Sequence, residues 1–529
     1  RPFAFVEFTM RIAILNTGGT ISCVGAPLAP MPAAEFAAAC QRLLGPWLAM
    51  RHAGLQLDFP VDLRFPGSAS GTLDSTNLQP TDWLRMARWV LAHYTEYDAF
   101  VVLHGTDSMA HSGAALSFLL NGFAADGQLS AALSRPVLLT GSQLPLFAQS
   151  AAGLTLNAQG DALANLDGAL RACQRGVCEV AVYFQRALWR GNRVLKTDAQ
   201  AFAAFAAPND LPLIEDGLEC RVHGERFLPP PASPARSLES PAARAAQLAL
   251  LDALQTRLAA HPVWTLLAQP ADGQANPLAQ AIHAAVAAGA RGLLLLGYGA
   301  GNFPSGDASE PARGAVYQAL AQARQQGVQL VGGTQTPHGG VNGQIYAAGA
   351  WLAQLGALNP GDMTPVAAQV KLSVLLALAE LHGWSAAQVA MLFQRALLGE
   401  MRDATLLDSR RGGVLRPGEA LLSQDGGASV SLSLDEGLRL CAADGRLLWQ
   451  APGSAQASLL RLGLDGALSL LGRSGEILWA TPPLGGAAAW LRLDGQCADG
   501  SLTLRLGDAG ADIGRVLWSA ADGQGALER

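Results

Sequence analysis

The stretch Met10-Arg11-Ile12-Ala13-Ile14-Leu15-Asn16-Thr17-Gly18-Gly19-Thr20-Ile21 decides the fold. Its first half is a short apolar run, and its second half turns on two glycines before a threonine. An apolar run without polar alternation reads as a strand covered on both faces, the kind found in parallel sheets. Similar runs recur at 99–103, 137–139 and 180–184, with helical segments such as 80–94 and 112–120 between them. Residues 10–204 therefore read as an α/β domain built on a doubly wound, mostly parallel sheet. Ligands of such sheets bind beyond the carboxyl ends of the strands, which is where Thr20 falls.

Outward from this domain the pattern changes twice. Prolines at 229, 230, 231, 234 and 241 mark an inter-domain linker over 205–262, closed by a helix over 241–260. A second βα set over 263–402, with strands at 292–296 and 328–331 and helices at 312–325, 365–381 and 385–397, reads as a smaller α/β domain. From 412 to 521 glycines and short alternating stretches indicate an all-β unit with an internal repeat. The repeat runs from Leu434-Asp435 to Leu448-Trp449, from Leu464-Asp465 to Leu478-Trp479, and from Asp499 to Leu517-Trp518. Each copy is too small to bury its own face, so a threefold β-prism with tryptophans in a shared core is expected.

Length and composition bound the function. A chain of 529 residues implies two to four compact units. A net charge of −6, with 15% charged and 50% hydrophobic residues, argues against nucleic-acid partners and against disorder. No membrane-length apolar segment and no signal-like opening run are read, and the nine residues before Met10 are set aside. The seven cysteines are scattered without metal-site spacing, so free thiols, no metal and a cytoplasmic location are expected. Of 36 basic residues only Lys196 and Lys371 are lysine. Lysine, unlike arginine, can give up its proton when desolvated, so these two positions stand out.

Three segments carry candidate chemistry. Asn16-Thr17-Gly18-Gly19-Thr20-Ile21 places a hydroxyl at a strand end beside glycines that allow close approach of backbone N–H groups to a ligand oxygen, or it is a phosphate-binding or structural turn. His104-Gly105-Thr106-Asp107-Ser108-Met109 also follows an apolar strand, so Thr106 and Asp107 share the edge of Thr20, although Asp107 could equally cap the next helix. Arg190-Gly191-Asn192-Arg193-Val194-Leu195-Lys196 sets a lysine where it could reach a threonine hydroxyl or stand as a solvated charge.

These motifs, with Thr140-Gly141-Ser142-Gln143, Leu73-Asp74-Ser75, Ala206-Ala207-Pro208-Asn209, Gly297-Tyr298-Gly299-Ala300-Gly301-Asn302 and Gly361-Asp362-Met363-Thr364, resemble in order and spacing the bacterial type I L-asparaginase family over about residues 10–402. The resemblance implies hydrolysis of L-asparagine, and of L-glutamine more weakly, to the acidic amino acid and ammonia. It makes Thr20 the nucleophile that forms an acyl-enzyme, with Thr106 and Lys196 as a second reactive threonine and its lysine partner. Asp107 would bind the substrate ammonium, and Asp74, Ser75 and Thr76 would hold the amino-acid end. Asn302 would approach from the second domain across a subunit interface, so a homodimer or homotetramer is implied. No cofactor is implied, since hydroxyl, amine and carboxylate suffice for acyl transfer.

Two departures qualify the resemblance. The family's mobile loop after the first threonine usually carries a tyrosine, yet none occurs between Ile21 and His93, and the loop here holds Pro27, Pro30 and Pro32. No acidic residue lies between Glu310 and Asp362 to serve as a small-domain acid, which leaves Tyr346 as a stand-in. A catalytically weak amino-acid-binding homologue is therefore the alternative reading. The C-terminal repeats resemble bulb-type mannose-binding lectins. Asp435, Asp465 and Asp499 remain, but Ser433, Gly463 and Cys497 replace the family's glutamines. Gly437, Ala467 and Ser501 likewise replace its asparagines, and Cys441, Leu471 and Arg505 its tyrosines. Too few hydrogen-bonding groups remain to hold a sugar, so a structural or oligomer-forming unit is expected, and an amidase localised by a carbohydrate-targeting module is the further alternative.

Overall fold

The computed structural model describes residues 10–151, 153–270, 276–341, 347–411, 413–417, 419–423, 428–433, 435–442, 445–486, 488–495, 502–508 and 514–519. They form two compact units, 1–400 and 401–529.

The first unit is built on an eight-stranded mixed sheet. Its strands are β1 (Met10–Asn16), β2 (Leu55–Asp58), β3 (Ala99–Leu103), β4 (Val137–Thr140), β5 (Val180–Phe184), β6 (Ala187–Arg190), β7 (Ile214–Asp216) and β8 (Cys220–Val222). The spatial order is β8-β7-β6-β5-β4-β3-β1-β2. From β2 to β5 the strands are parallel, whereas β6, β7 and β8 turn back antiparallel at the far edge. The sheet is therefore mixed rather than wholly parallel, and β7 and β8 lie inside the stretch read from sequence as linker. That reading stopped early because Ile214–Asp216 and Cys220–Val222 are short and partly exposed, with no apolar run to reveal them.

Both faces of the parallel half are covered, which is why β3 and β5 are apolar and buried at every position. On one face Ile12, Ile14, Val101 and Leu138 pack with Phe36, Leu166 and Leu170. Helix Met109–Leu119, buried at all but one of its positions, lies against β4 and β5. A second, three-stranded parallel sheet pairs Val263–Leu267, Gly292–Gly297 and Gln329–Thr334 in sequence order.

Two charged clamps and one amide clamp hold this unit together. Buried Arg190 bonds Glu179 at 2.6 Å, and buried Arg193 reaches Asp362 Oδ2 at 2.8 Å and Glu400 O at 2.9 Å. Asn209 donates to the Asp362 and Gly339 carbonyls. The arginines and Asn209 of the recognised motifs, together with Asp362, are thus spent on bracing. Helix Pro365–His382 is the one described helix long and apolar enough to cross a membrane, against the sequence reading that no such segment exists. Half of it is buried within the unit and it carries Lys371 inward to Glu400, which explains its composition as a core helix.

In the second unit, three four-stranded antiparallel sheets each take two strands from one repeat and a third from the stretch just before it. The fourth strand of each comes from the preceding segment: Leu406–Asp408, Val414–Leu415 and Ala420–Leu422 join three different sheets. Trp449 and Trp518 are buried in one apolar cluster with Val430, Leu460 and Leu491. Asp465 accepts the Ala467 N–H at 3.1 Å, so its carboxylate closes a turn. Cys497, Asp499 and Ser501 lie outside the described residues, as does Tyr346.

Candidate active site

The site is assembled where the parallel strands end. After β1, Thr17 N donates to Leu103 O at 3.0 Å, while Thr17 O and Gly19 N bond the Leu73 backbone at 2.8 and 3.1 Å. Gly19 adopts φ +77°, which lets the chain turn into the short helical turn Thr20–Ser22. A methyl group on Gly19 would fall 2.2 Å from Gly105 Cα, and one on Gly105 would fall 2.3 Å from Ser75 Oγ. The turns bearing Thr20, Ser75 and Thr106 are therefore in direct contact, and glycine is what allows the approach. Ser75 and Thr106 are buried, whereas Thr20 is partly exposed.

Lys196 completes the group. It stands in a two-residue ladder, Leu195–Lys196 against Phe205–Ala206, with its side chain 23% exposed. Its Nζ lies 2.9 Å from Thr106 Oγ1 and 2.9 Å from Asp107 Oδ1. The other Asp107 oxygen accepts from Thr76 Oγ1 at 3.1 Å, and Thr76 N donates to Asp74 Oδ1 at 3.0 Å. Ser108 Oγ donates to Ser75 O at 2.6 Å, joining the two turns. The hydrogen bond from Lys196 holds the Asp107 carboxyl below its ordinary range, against a smaller opposing effect of burial. Asp107 is thus turned toward Lys196 and Thr76, and the next helix begins without a side-chain cap.

Of the eight residues singled out from sequence, Thr20, Asp74, Ser75, Thr76, Thr106 and Asp107 lie on these contiguous turns, and Lys196 reaches them from its ladder. Asn302 does not join them within the chain. It closes a tight turn with Tyr298, donating to Tyr298 O at 2.9 Å, at the end of strand Gly292–Gly297. The loop after Thr20 is a short hairpin, Cys23–Val24 against Ala29–Pro30.

Sequence reasoning passed over His104, Ser22 and Cys23. His104 is fully buried, with Nδ1 2.7 Å from Gly105 O and Nε2 2.8 Å from Ser112 Oγ. Burial pushes its pKa down to about 4. Ser22 Oγ and Cys23 Sγ each donate to Gly19 O at 3.2 Å. The Thr-Gly-Ser-Gln segment serves as scaffold: Thr140 Oγ1 donates to Tyr183 O, and Asp161 accepts from Gln143 and Leu144 N–H. Among the described residues no three metal-ligating side chains converge.

Comparison with known proteins gives the following similarities. Residues 11–226 match the family model "Asparaginase, N-terminal" and residues 275–393 match "Glutaminase/Asparaginase C-terminal domain". L-asparaginase 1 of Escherichia coli strain K12 is 34% identical over 308 residues, covering 58% of this chain and 76% of that protein. The 60 kDa lysophospholipase of Mus musculus is 33% identical over 304 residues, 57% of this chain and 45% of that protein. The crystal structure of L-asparaginase I from Vibrio cholerae O1 biovar eltor superposes with a TM-score of 0.55 at 27% identity, covering 74% of this chain and 99% of that one.

Proposed function

This chain belongs to the asparaginase family, and from that premise we propose that it hydrolyses the side-chain amide of L-asparagine, and of L-glutamine more weakly, through a threonine-bound acyl intermediate. Thr20 Oγ1 attacks the amide carbon, the C–N bond breaks, and the nitrogen leaves as ammonia carrying the proton lost by the hydroxyl. Water then attacks the acyl-Thr20 ester, releasing L-aspartate and restoring the hydroxyl. Thr106 and Lys196 handle the protons of these steps, while Asp107 pairs with the substrate's α-ammonium group. Asp74, Ser75 and Thr76 hold its amino-acid end, and Asn302 completes the site from a second copy in a homodimer or homotetramer.

The observation that carries this reading is the bridge from Lys196 Nζ to Thr106 Oγ1 and Asp107 Oδ1, both 2.9 Å, beside a Thr20 turn packed on Gly105. Ammonia release from asparagine, glutamine and simple amides by wild type, Thr20→Ala and Thr106→Ala tests it. Turnover unchanged in both variants ends the proposal. The proline-bearing hairpin without a tyrosine favours one other reading, an amino-acid binder of weak activity. Tight aspartate binding without ammonia release would select it. We read the three sheets of the second unit as a threefold prism with a structural or oligomer-forming role.

A further inference from the structure

The peptide carbonyls immediately before the two threonines are each held by side chains. Gly105 O receives His104 Nδ1 at 2.7 Å. A carbonyl oxygen only accepts, so Nδ1 carries the proton, and Nε2 of the neutral ring is left to accept the Ser112 hydroxyl at 2.8 Å. Gly19 O receives three donors, Ser22 N at 3.0 Å and Ser22 Oγ and Cys23 Sγ at 3.2 Å. Burial pushes the Cys23 thiol up to about 11, so the sulfur keeps its proton and remains a donor. In a trans peptide the N–H points opposite to the carbonyl. Holding Gly105 O and Gly19 O therefore aims the N–H groups of Thr106 and Thr20 away from these clamps. Neither N–H has an acceptor among the described residues, although Thr106 is only 6% exposed. A buried donor without a partner costs roughly 1–3 kcal/mol, and such donors are rare.

We propose that His104, together with Ser22 and Cys23, are positioning residues that orient the Gly105–Thr106 and Gly19–Thr20 peptides so that both threonine N–H groups are presented to the substrate's carbonyl oxygen. The inference rests on the reading of these turns as the reactive ones. The two peptides touch through Gly19 and Gly105, so one oxygen can meet both donors as charge develops on it. None of the three side chains needs to touch the substrate.

Two substitutions of one residue separate orientation from packing. His104→Asn keeps an amide donor where Nδ1 stood, whereas His104→Gln puts its amide where Nε2 stood and leaves Gly105 O unheld. Steady-state kinetics should show kcat of His104→Gln lowered on the order of 10²-fold with KM little changed, since misaimed donors act on the transition state. His104→Asn should stay within about threefold of wild type although both variants lose a similar amount of thermal stability. Should either variant fail to fold, Ser22→Ala with Cys23→Ala removes two small donors and is expected to lower kcat roughly tenfold at unchanged KM. Equal kcat in the asparagine and glutamine variants, or loss that follows melting temperature alone, overturns the inference while wild-type turnover leaves the family reading standing. Absence of ammonia release by wild type removes both.

Discussion

Lys196 and Lys371, the two lysines of the chain, each face a carboxylate, yet their surroundings differ completely. Lys371 and Glu400 are both 0% exposed, with Nζ 2.5 Å from Oε1. The remaining hydrogen-bonding capacity is also consumed: Lys371 donates to Phe393 O and Arg395 O, and Glu400 accepts from Leu397 and Leu398 N–H. Lys196 instead pairs with an Asp107 that is 59% exposed, and a threonine hydroxyl shares the ammonium group. A saturated, dry pair is a structural clamp. A half-open pair whose acid faces solvent retains hydrogen-bonding capacity for a substrate. In an arginine-dominated chain both lysines place a compact ammonium among oxygens, Lys371 among carbonyls and a carboxylate, Lys196 between a hydroxyl and a carboxylate.

The comparison can be broken experimentally, and the largest effect is expected at the buried pair. Lys371→Ala leaves Glu400 ionised in the core and should cost about 3–5 kcal/mol in denaturant unfolding of the first unit. A loss below 1 kcal/mol would show that the site is wet. The buried His104 offers a second test of burial. Its pKa lies near 4 against an ordinary 6.5, so between these values the unfolded chain binds more protons than the folded one. Stability should therefore be unaffected above pH 6.5 and fall by roughly 3 kcal/mol as pH drops to 4. His104→Asn should flatten that segment of the pH profile.

At the open pair the expected order reverses, with activity moving and stability staying. Lys196→Arg keeps the charge and the Asp107 pairing but removes a group able to exchange protons, so kcat should fall roughly 10²-fold. Its unfolding free energy should remain within about 1 kcal/mol of wild type. The smallest effect belongs to Asp107→Asn measured as stability. Because Lys196 lowers the Asp107 pKa, the pair contributes above the ordinary carboxylate range and is lost only as pH falls through the depressed value. Comparing the variant with wild type from pH 7 downward, and at high salt, should show no more than about 1 kcal/mol. A larger difference would make Asp107 a structural anchor like Glu400.

Much of this was legible in the chain itself. The apolar runs at β1, β3, β4 and β5 mark parallel strands because nothing but two-sided burial tolerates Ala-Phe-Val-Val-Leu or Val-Ala-Val-Tyr-Phe in a soluble sheet. Helix Pro241–Ala260 was readable from the proline that opens it. The antiparallel edge was not, because its four- and three-residue strands are too short to carry a periodic signal. His104 was hidden for another reason. Its importance lies in what its two nitrogens touch, Gly105 O and Ser112 Oγ, and a single histidine in a motif does not reveal its partners.

The sequence by itself determined the strand–turn–helix grammar, the hydroxyl-bearing turns and the scarcity of lysine, because local conformation and burial period are written in neighbouring residues. Only the tertiary structure decided that Lys196 reaches Thr106 and Asp107 while Lys371 is sealed against Glu400. Those contacts join positions 90 and 89 residues apart in one case and 29 (400 − 371) in the other. Side-chain packing, rather than local propensity, sets whether water reaches a charge, and water determines whether that charge acts as a clamp or a reagent.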